Sequence, residues 1–146
     1  MKKLKIYLDN CCFNRPYDDQ NQLRIELETK AKLFLQKLIA DKKVEFVISY
    51  ILDLENSDNP FVIRRTAIED FFKYAASDME ESDEIITIAN SIKKSGLKTK
   101  DSLHIACAII AQCDYFISAD DRLLKYKNDK IRIINPIDFI LLFGEG

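Results

Sequence analysis

The sequence has no tryptophan, one histidine, three glycines and three prolines in 146 residues, and no excess of positive charge. With His104 as its sole imidazole, a nucleophilic relay has one candidate base, and no serine or cysteine constellation accompanies it. His104 is therefore expected to be a polar packing residue or a support behind a site. Zinc is equally ill served. The four cysteines fall as Cys11-Cys12 and as Cys107 and Cys113, six apart, which is neither a zinc-ribbon spacing nor a disulfide framework. They read as reduced, mostly buried thiols. No linker, low-complexity tract or internal repeat interrupts the chain. With 22 Lys and Arg against 24 Asp and Glu, the net charge is −2 and there is no global basic field of the kind that marks a dedicated duplex-DNA binder. No apolar run reaches membrane-spanning length, and Met1-Lys2-Lys3 leads into only a few apolar residues before Asp9, too few for a signal-peptide core. The expectation is a cytoplasmic protein with no membrane partner.

The chain that remains is 47% hydrophobic and 32% charged, long enough to bury a good core and too short to divide comfortably. A single domain over 1–146 is expected. It is organised around Leu4-Lys5-Ile6-Tyr7-Leu8-Asp9-Asn10, an apolar strand that suits the centre of a parallel sheet and ends on a carboxylate. The carboxyl ends of such strands are where ligands bind in open α/β sheets. Residues 10–21, with Pro16 and a cluster of turn formers, read as a twelve-residue functional loop anchored by Phe13 and Tyr17, in which Arg15 suits bidentate phosphate contact.

From Leu23 the spacing of Leu23, Leu27, Ala31, Phe34, Leu35, Leu38 and Ile39 predicts a long amphipathic helix, with Glu26, Glu28, Lys30, Lys32 and Lys37 on its wet face. A strand follows over 44–48, parallel to the first through a right-handed crossover. Ser49 then caps a short helix that carries Glu55 near its end, with Asp53 facing elsewhere. Two amphipathic helices follow, over 61–76 with Arg64-Arg65 near its start, and over 82–94, ended by Gly96. Thr99 to Ala111 reads as a buried helix with a capping threonine and with Asp101 in its first turn, where an acid also complements the helix dipole. Tyr115 to Ser118 repeats the opening design, an apolar strand followed at once by Asp120, which also suits the cap of a short helix over 122–125. A last strand over 131–134 and a helix from Asn135-Pro136 complete the chain.

Asp9, Glu55, Asp101 and Asp120 thus gather at one sheet edge. Close carboxylates repel unless a cation neutralises them, and an all-oxygen set suits Mg²⁺ or Mn²⁺. Such an ion can meet phosphates in place of lysines, so the low net charge does not exclude a nucleic-acid partner.

Asp9-Asn10, Ser49 with Glu55, Lys100-Asp101-Ser102-Leu103-His104-Ile105-Ala106 and Ser118-Ala119-Asp120 resemble, in order and spacing, the four acidic motifs of PIN-domain nucleases. The resemblance spans nearly the whole chain. It implies a Rossmann-like three-layer α/β/α sandwich on a parallel sheet of four to five strands, and a metal-dependent endoribonuclease that frequently serves as the toxin of a toxin–antitoxin pair. By it Asp9, Glu55, Asp101 and Asp120 are the catalytic metal ligands for Mg²⁺ or Mn²⁺, and Asn10, Arg15, Ser118 and Asp121 are candidates for supporting them or touching substrate. The partners it implies are an RNA substrate, a cognate antitoxin and a second copy in a homodimer. Ser118 stands where the family often has threonine, and Asn10-Cys11-Cys12 replaces its commoner small polar pair. The competing reading is a non-catalytic PIN-like module that binds RNA or protein.

Overall fold

The computed structural model describes residues 3–145; Met1, Lys2 and Gly146, and with them the start of the N-terminal segment read above, lie outside the described residues. Five parallel strands form one sheet in the order β3-β2-β1-β4-β5: β1 (Lys5–Leu8), β2 (Glu45–Ser49), β3 (Ser77–Met79), β4 (Tyr115–Ile117) and β5 (Arg132–Ile134). The first strand is central, as its apolar run requires, with Ile6, Tyr7 and Leu8 fully buried. The chain winds outward from β1 through β2 to β3 and then returns to build β4 and β5 on the other side. The order therefore reverses between β1 and β4, where a crevice opens beyond the strand ends.

The helices are α1 (Asn10–Asn14), α2 (Leu23–Ala40), α3 (Tyr50–Ser57), α4 (Val62–Phe72), α5 (Asp83–Lys93), α6 (Thr99–Ile110), α7 (Asp121–Lys125) and α8 (Pro136–Glu145). Right-handed crossovers put α2 and α4 over one face of the sheet and the packed pair α5 and α6 over the other, the three-layer arrangement expected. Among the described residues no helix is long and apolar enough to cross a membrane.

Four local features depart from the sequence expectation. Residues 10–21 are not a plain loop. They form α1 and a single 3₁₀ turn, Arg15–Tyr17, because the buried Phe13 packs among Phe46, Phe71 and Phe72 with ring centres 5.9, 6.0 and 5.4 Å away. In α2 the buried stripe is Glu28, Thr29, Ala31, Lys32, Leu35, Leu38 and Ile39, turned part of a revolution from the expected face, so Leu23, Leu27 and Phe34 are exposed. Strand β3, Ser-Asp-Met, gives no sequence signal and exists through its pairing with β2. The cap of α6 is Lys98, with no side-chain bond, and Thr99 is already helical.

Candidate active site

Asp9 follows β1 directly and extends the sheet by one bond, its N–H donating to the Ile117 carbonyl at 2.9 Å. Its nearly buried carboxylate is fixed on both oxygens. Oδ1 accepts the Asn10 N–H at 2.8 Å, which makes Asp9 the N-cap of α1, and Oδ2 accepts the Ser118 hydroxyl at 2.8 Å and the Cys11 thiol at 3.4 Å. Ser118 Oγ in turn accepts the Asp120 N–H at 3.0 Å, so one buried hydroxyl ties the end of β1 to the end of β4. Asp120 caps α7, accepting the Arg122 N–H at 2.9 Å.

Asp101, in the first turn of α6, makes no side-chain hydrogen bond among the described residues. Burial raises its carboxyl above the usual range, and the charges of Asp9 and then Asp120 raise it further, while His104 and Arg122 oppose the shift. These three acids, carried by three different elements, thus sense one another. Glu55 is held differently. Its Oε1 is hydrogen-bonded by His104 Nε2 and its Oε2 accepts Asn10 Nδ2 at 3.4 Å. Asp53, as expected, points to solvent from the same helix.

As a metal centre the donor set fits in chemistry: hard oxygen ligands, one of them electrostatically disfavoured in a way that a cation would relieve. The side chains do not close on a single point, because Glu55 is turned to His104 and Asn10 and Asp120 to Arg122; among the described residues no three His, Cys, Asp or Glu side chains stand close enough to share an ion.

The other candidates have definite places. Arg15, expected to contact phosphate, instead donates to Asp18 at 2.9 Å and to the fully buried Glu28 at 3.0 Å. Asp121 receives both guanidinium nitrogens of Arg24 at 2.9 and 3.0 Å, an exposed tie between α7 and α2. Arg64 lies over the rings of Phe61 and Tyr17, at 4.0 and 4.8 Å, and Arg65 donates to the Asn59 carbonyl. All four cysteines are free, with burial raising Cys107 to about 11 and Cys113 to about 12. A concavity of about 1010 Å³ along β5 is lined by none of the four acids.

Sequence reasoning missed Tyr7. Its hydroxyl lies 2.6 Å from both Ser49 Oγ and His104 Nδ1, inside a strand that otherwise reads as apolar. The signal was available, since a tyrosine at the centre of a sheet needs a partner for its hydroxyl.

No family model and no curated protein sequence matches the chain. The solved structures that resemble it include two VapBC assemblies. One is VapBC2 from Rickettsia felis bound to a DNA fragment from their promoter, in which a chain aligns over 90% of this protein and 98% of its own length with 12% identity and a TM-score of 0.61. The other is DNA-bound VapBC from Salmonella typhimurium, with 91% and 98% coverage, 16% identity and a TM-score of 0.55. At these identities the likeness is one of fold: the chain has the three-layer, PIN-like α/β/α fold that its acidic motifs suggest.

Proposed function

We propose that this protein is a metal-dependent endoribonuclease that hydrolyses RNA phosphodiester bonds with metal-activated water, and that it acts as the toxin of a toxin–antitoxin pair. The nuclease reading is supported by the placement of Asp9, Asp101 and Asp120 at element ends around the β1–β4 switch point, near enough that the charges of the first and third add to burial in raising the second's carboxyl. The toxin reading is supported by the likeness of fold to chains of two VapBC assemblies.

In this reading Asp9, Asp101 and Asp120 hold Mg²⁺ or Mn²⁺, and Glu55 completes or orients the shell. Bound there, the ion supplies Lewis acidity, acidifying water and neutralising charge on the phosphate. The chain's own contribution is placement. The Ser118 hydroxyl and the Asn10 N–H fix the Asp9 carboxylate, and the Asn10 amide reaches Glu55. Water, and neither a protein side chain nor the ribose 2′-hydroxyl, attacks the phosphorus and the 3′-oxygen leaves, so products carry a 5′-phosphate and a 3′-hydroxyl. RNA is held by local basic groups. Arg64 is better suited than Arg15, because it makes no ion pair among the described residues whereas Arg15 is committed to Asp18 and Glu28.

The deciding experiment incubates purified protein with an RNA panel in Mn²⁺, Mg²⁺ or EDTA, alongside Asp9→Asn. Cleavage is expected only with metal and only by the wild type. Full activity in chelator, or 2′,3′-cyclic phosphate ends, would sink the mechanism. One observation favours a second reading, a non-catalytic RNA- or protein-binding module: no three of the described side chains converge on one ion. RNA bound without turnover in any metal would favour it.

A further inference from the structure

Glu55 is the one acid of the four whose carboxylate is met by an imidazole. His104 is buried in α6, and both its ring nitrogens are engaged: Nε2 with Glu55 Oε1 and Nδ1 with the Tyr7 hydroxyl at 2.6 Å. Tyr7 OH also lies 2.6 Å from Ser49 Oγ, and Ser49 Oγ accepts the Leu52 N–H at 3.3 Å as the cap of α3, the helix that carries Glu55. The Tyr7 ring itself is fixed by stacking on Phe116, with centres 5.3 Å apart.

The direction of these bonds follows from what each group can do. An ionised carboxylate only accepts, so Nε2 must carry the proton that meets Glu55. In a neutral ring Nδ1 is then the acceptor, Tyr7 donates to it, and Ser49 donates to Tyr7. Every hydrogen on this path has one consistent place. The path begins and ends on α3, passing through β1 and α6, and therefore measures the carboxylate of Glu55 against the helix that presents it.

We propose that His104, held in its Nε2-protonated form by the Glu55 carboxylate and met on Nδ1 by the Tyr7 hydroxyl, is the positioning residue for Glu55, setting where that carboxylate stands relative to Asp9 and Asp101. This rests on the nuclease reading for its catalytic consequence. Neither Tyr7 nor His104 touches the reacting atoms. Their effect passes through Glu55, whose second oxygen accepts the Asn10 amide at 3.4 Å.

Two measurements test this. Nitrogen-15 NMR of the imidazole reads the ring directly. The wild type is expected to show a protonated Nε2 and a bare Nδ1, and Tyr7→Phe, which keeps the ring that packs on Phe116 and leaves the Glu55 contact in place, is expected to shift the Nδ1 resonance while the proton stays on Nε2. A proton on Nδ1 in the wild type would overturn the assignment. Cleavage kinetics read the consequence. Removing a hydrogen-bonding support behind a metal ligand typically costs about ten- to a hundredfold, so His104→Leu should lower kcat by that factor with KM for RNA unchanged. His104→Gln, which keeps an N–H near the Nε2 position, should recover much of the loss. In the Glu55→Gln background His104→Leu should add nothing. Additive losses, or an undiminished His104→Leu, would refute positioning through Glu55. Should His104→Leu fail to fold, Tyr7→Phe carries the same cycle, its loss in kcat expected to vanish in the Glu55→Gln background. A wild type that cleaves no RNA would refute the nuclease reading instead, and the ring measurement would still decide the assignment of the proton.

Discussion

Lys32 carries a charged group into an apolar place. Its ammonium, on the buried stripe of α2, lies 5.7 and 5.8 Å from the ring centres of Phe13 and Phe71 and donates one hydrogen bond, to Gln36 Oε1 at 2.8 Å. Burial lowers its pKa from 10.5 to about 8. The unfolded chain therefore binds the proton more tightly than the folded one, and stability should rise as pH climbs from about 8 towards 10.5 and the cost of the buried charge lapses. That cost is at most about 3 kcal/mol. Lys32→Met should be more stable than the wild type at pH 7, with the gap closing across that window, as read by urea melts at a series of pH values. A gap independent of pH would refute the burial argument. The same residue shows what was illegible in the sequence: as a lysine on an amphipathic helix it reads as solvated, and only Phe13 and Phe71, far off in the chain, make it otherwise. The site was more legible. Asp9, Asp101 and Asp120 stand at element ends whose boundaries the sequence marks, whereas the partner of His104 depends on Tyr7, whose hydroxyl does not disturb the apolar pattern of β1.

At the scale of elements, Glu28 fastens three segments to one point. This fully buried carboxylate accepts Arg15 Nε at 3.0 Å from the 3₁₀ turn, Arg24 Nε at 3.4 Å within α2 and Asn135 Nδ2 at 2.5 Å before α8. Breaking a pair buried on both sides typically costs about 3–5 kcal/mol, and here the loss is smaller because Arg15 and Arg24 are partly exposed and keep Asp18 and Asp121. Glu28→Ala should accordingly lower the melting temperature by several degrees at about 2–4 degrees per kcal/mol. It should also speed hydrogen exchange over 10–17 more than in β2. An unchanged melting temperature would show that Arg15 and Arg24 find other partners at no cost. The Glu28 contacts also explain why the buried stripe of α2 is turned from the face its periodicity predicts, with Ala31, Leu35, Leu38 and Ile39 common to both. Periodicity assigns the apolar residues inward, but Glu28 is drawn in by Arg15 and Asn135, and the helix turns with it, exposing Leu23 and Leu27. Elements with dense local signals, β1, β2, β4, α5 and α6, were legible to within a residue or two. Strand β3 was not, since an edge strand of Ser77, Asp78 and Met79 is specified by the neighbour it pairs with.

At the scale of the molecule, the reversal of strand order at β1 gathers acids that the chain separates by more than a hundred residues, on a protein with a net charge of only −2. The gathering has an energetic signature in Asp101, whose carboxyl is raised by burial and then by Asp9 and Asp120. A carboxyl whose folded pKa lies above its unfolded one contributes stability that is fully present below the unfolded pKa and is lost as pH rises through the folded one. At neutral pH without metal the fold therefore bears the cost of an ionised Asp101. Asp101→Asn removes that cost, and in EDTA at pH 7 the variant should melt at a higher temperature than the wild type, the difference shrinking as pH falls into the range where Asp101 is protonated. Mn²⁺ should reverse the order. An ion present at about 100 times its Kd stabilises by about 2.7 kcal/mol, several degrees in a chain of this size, and the wild type should gain this while Asp101→Asn gains much less. Thermal melts of both proteins in EDTA and in Mn²⁺ contain the whole comparison. Equal gains would mean that the ion binds away from Asp101, and a wild type already the more stable in EDTA would mean that the acids do not repel as their placement requires.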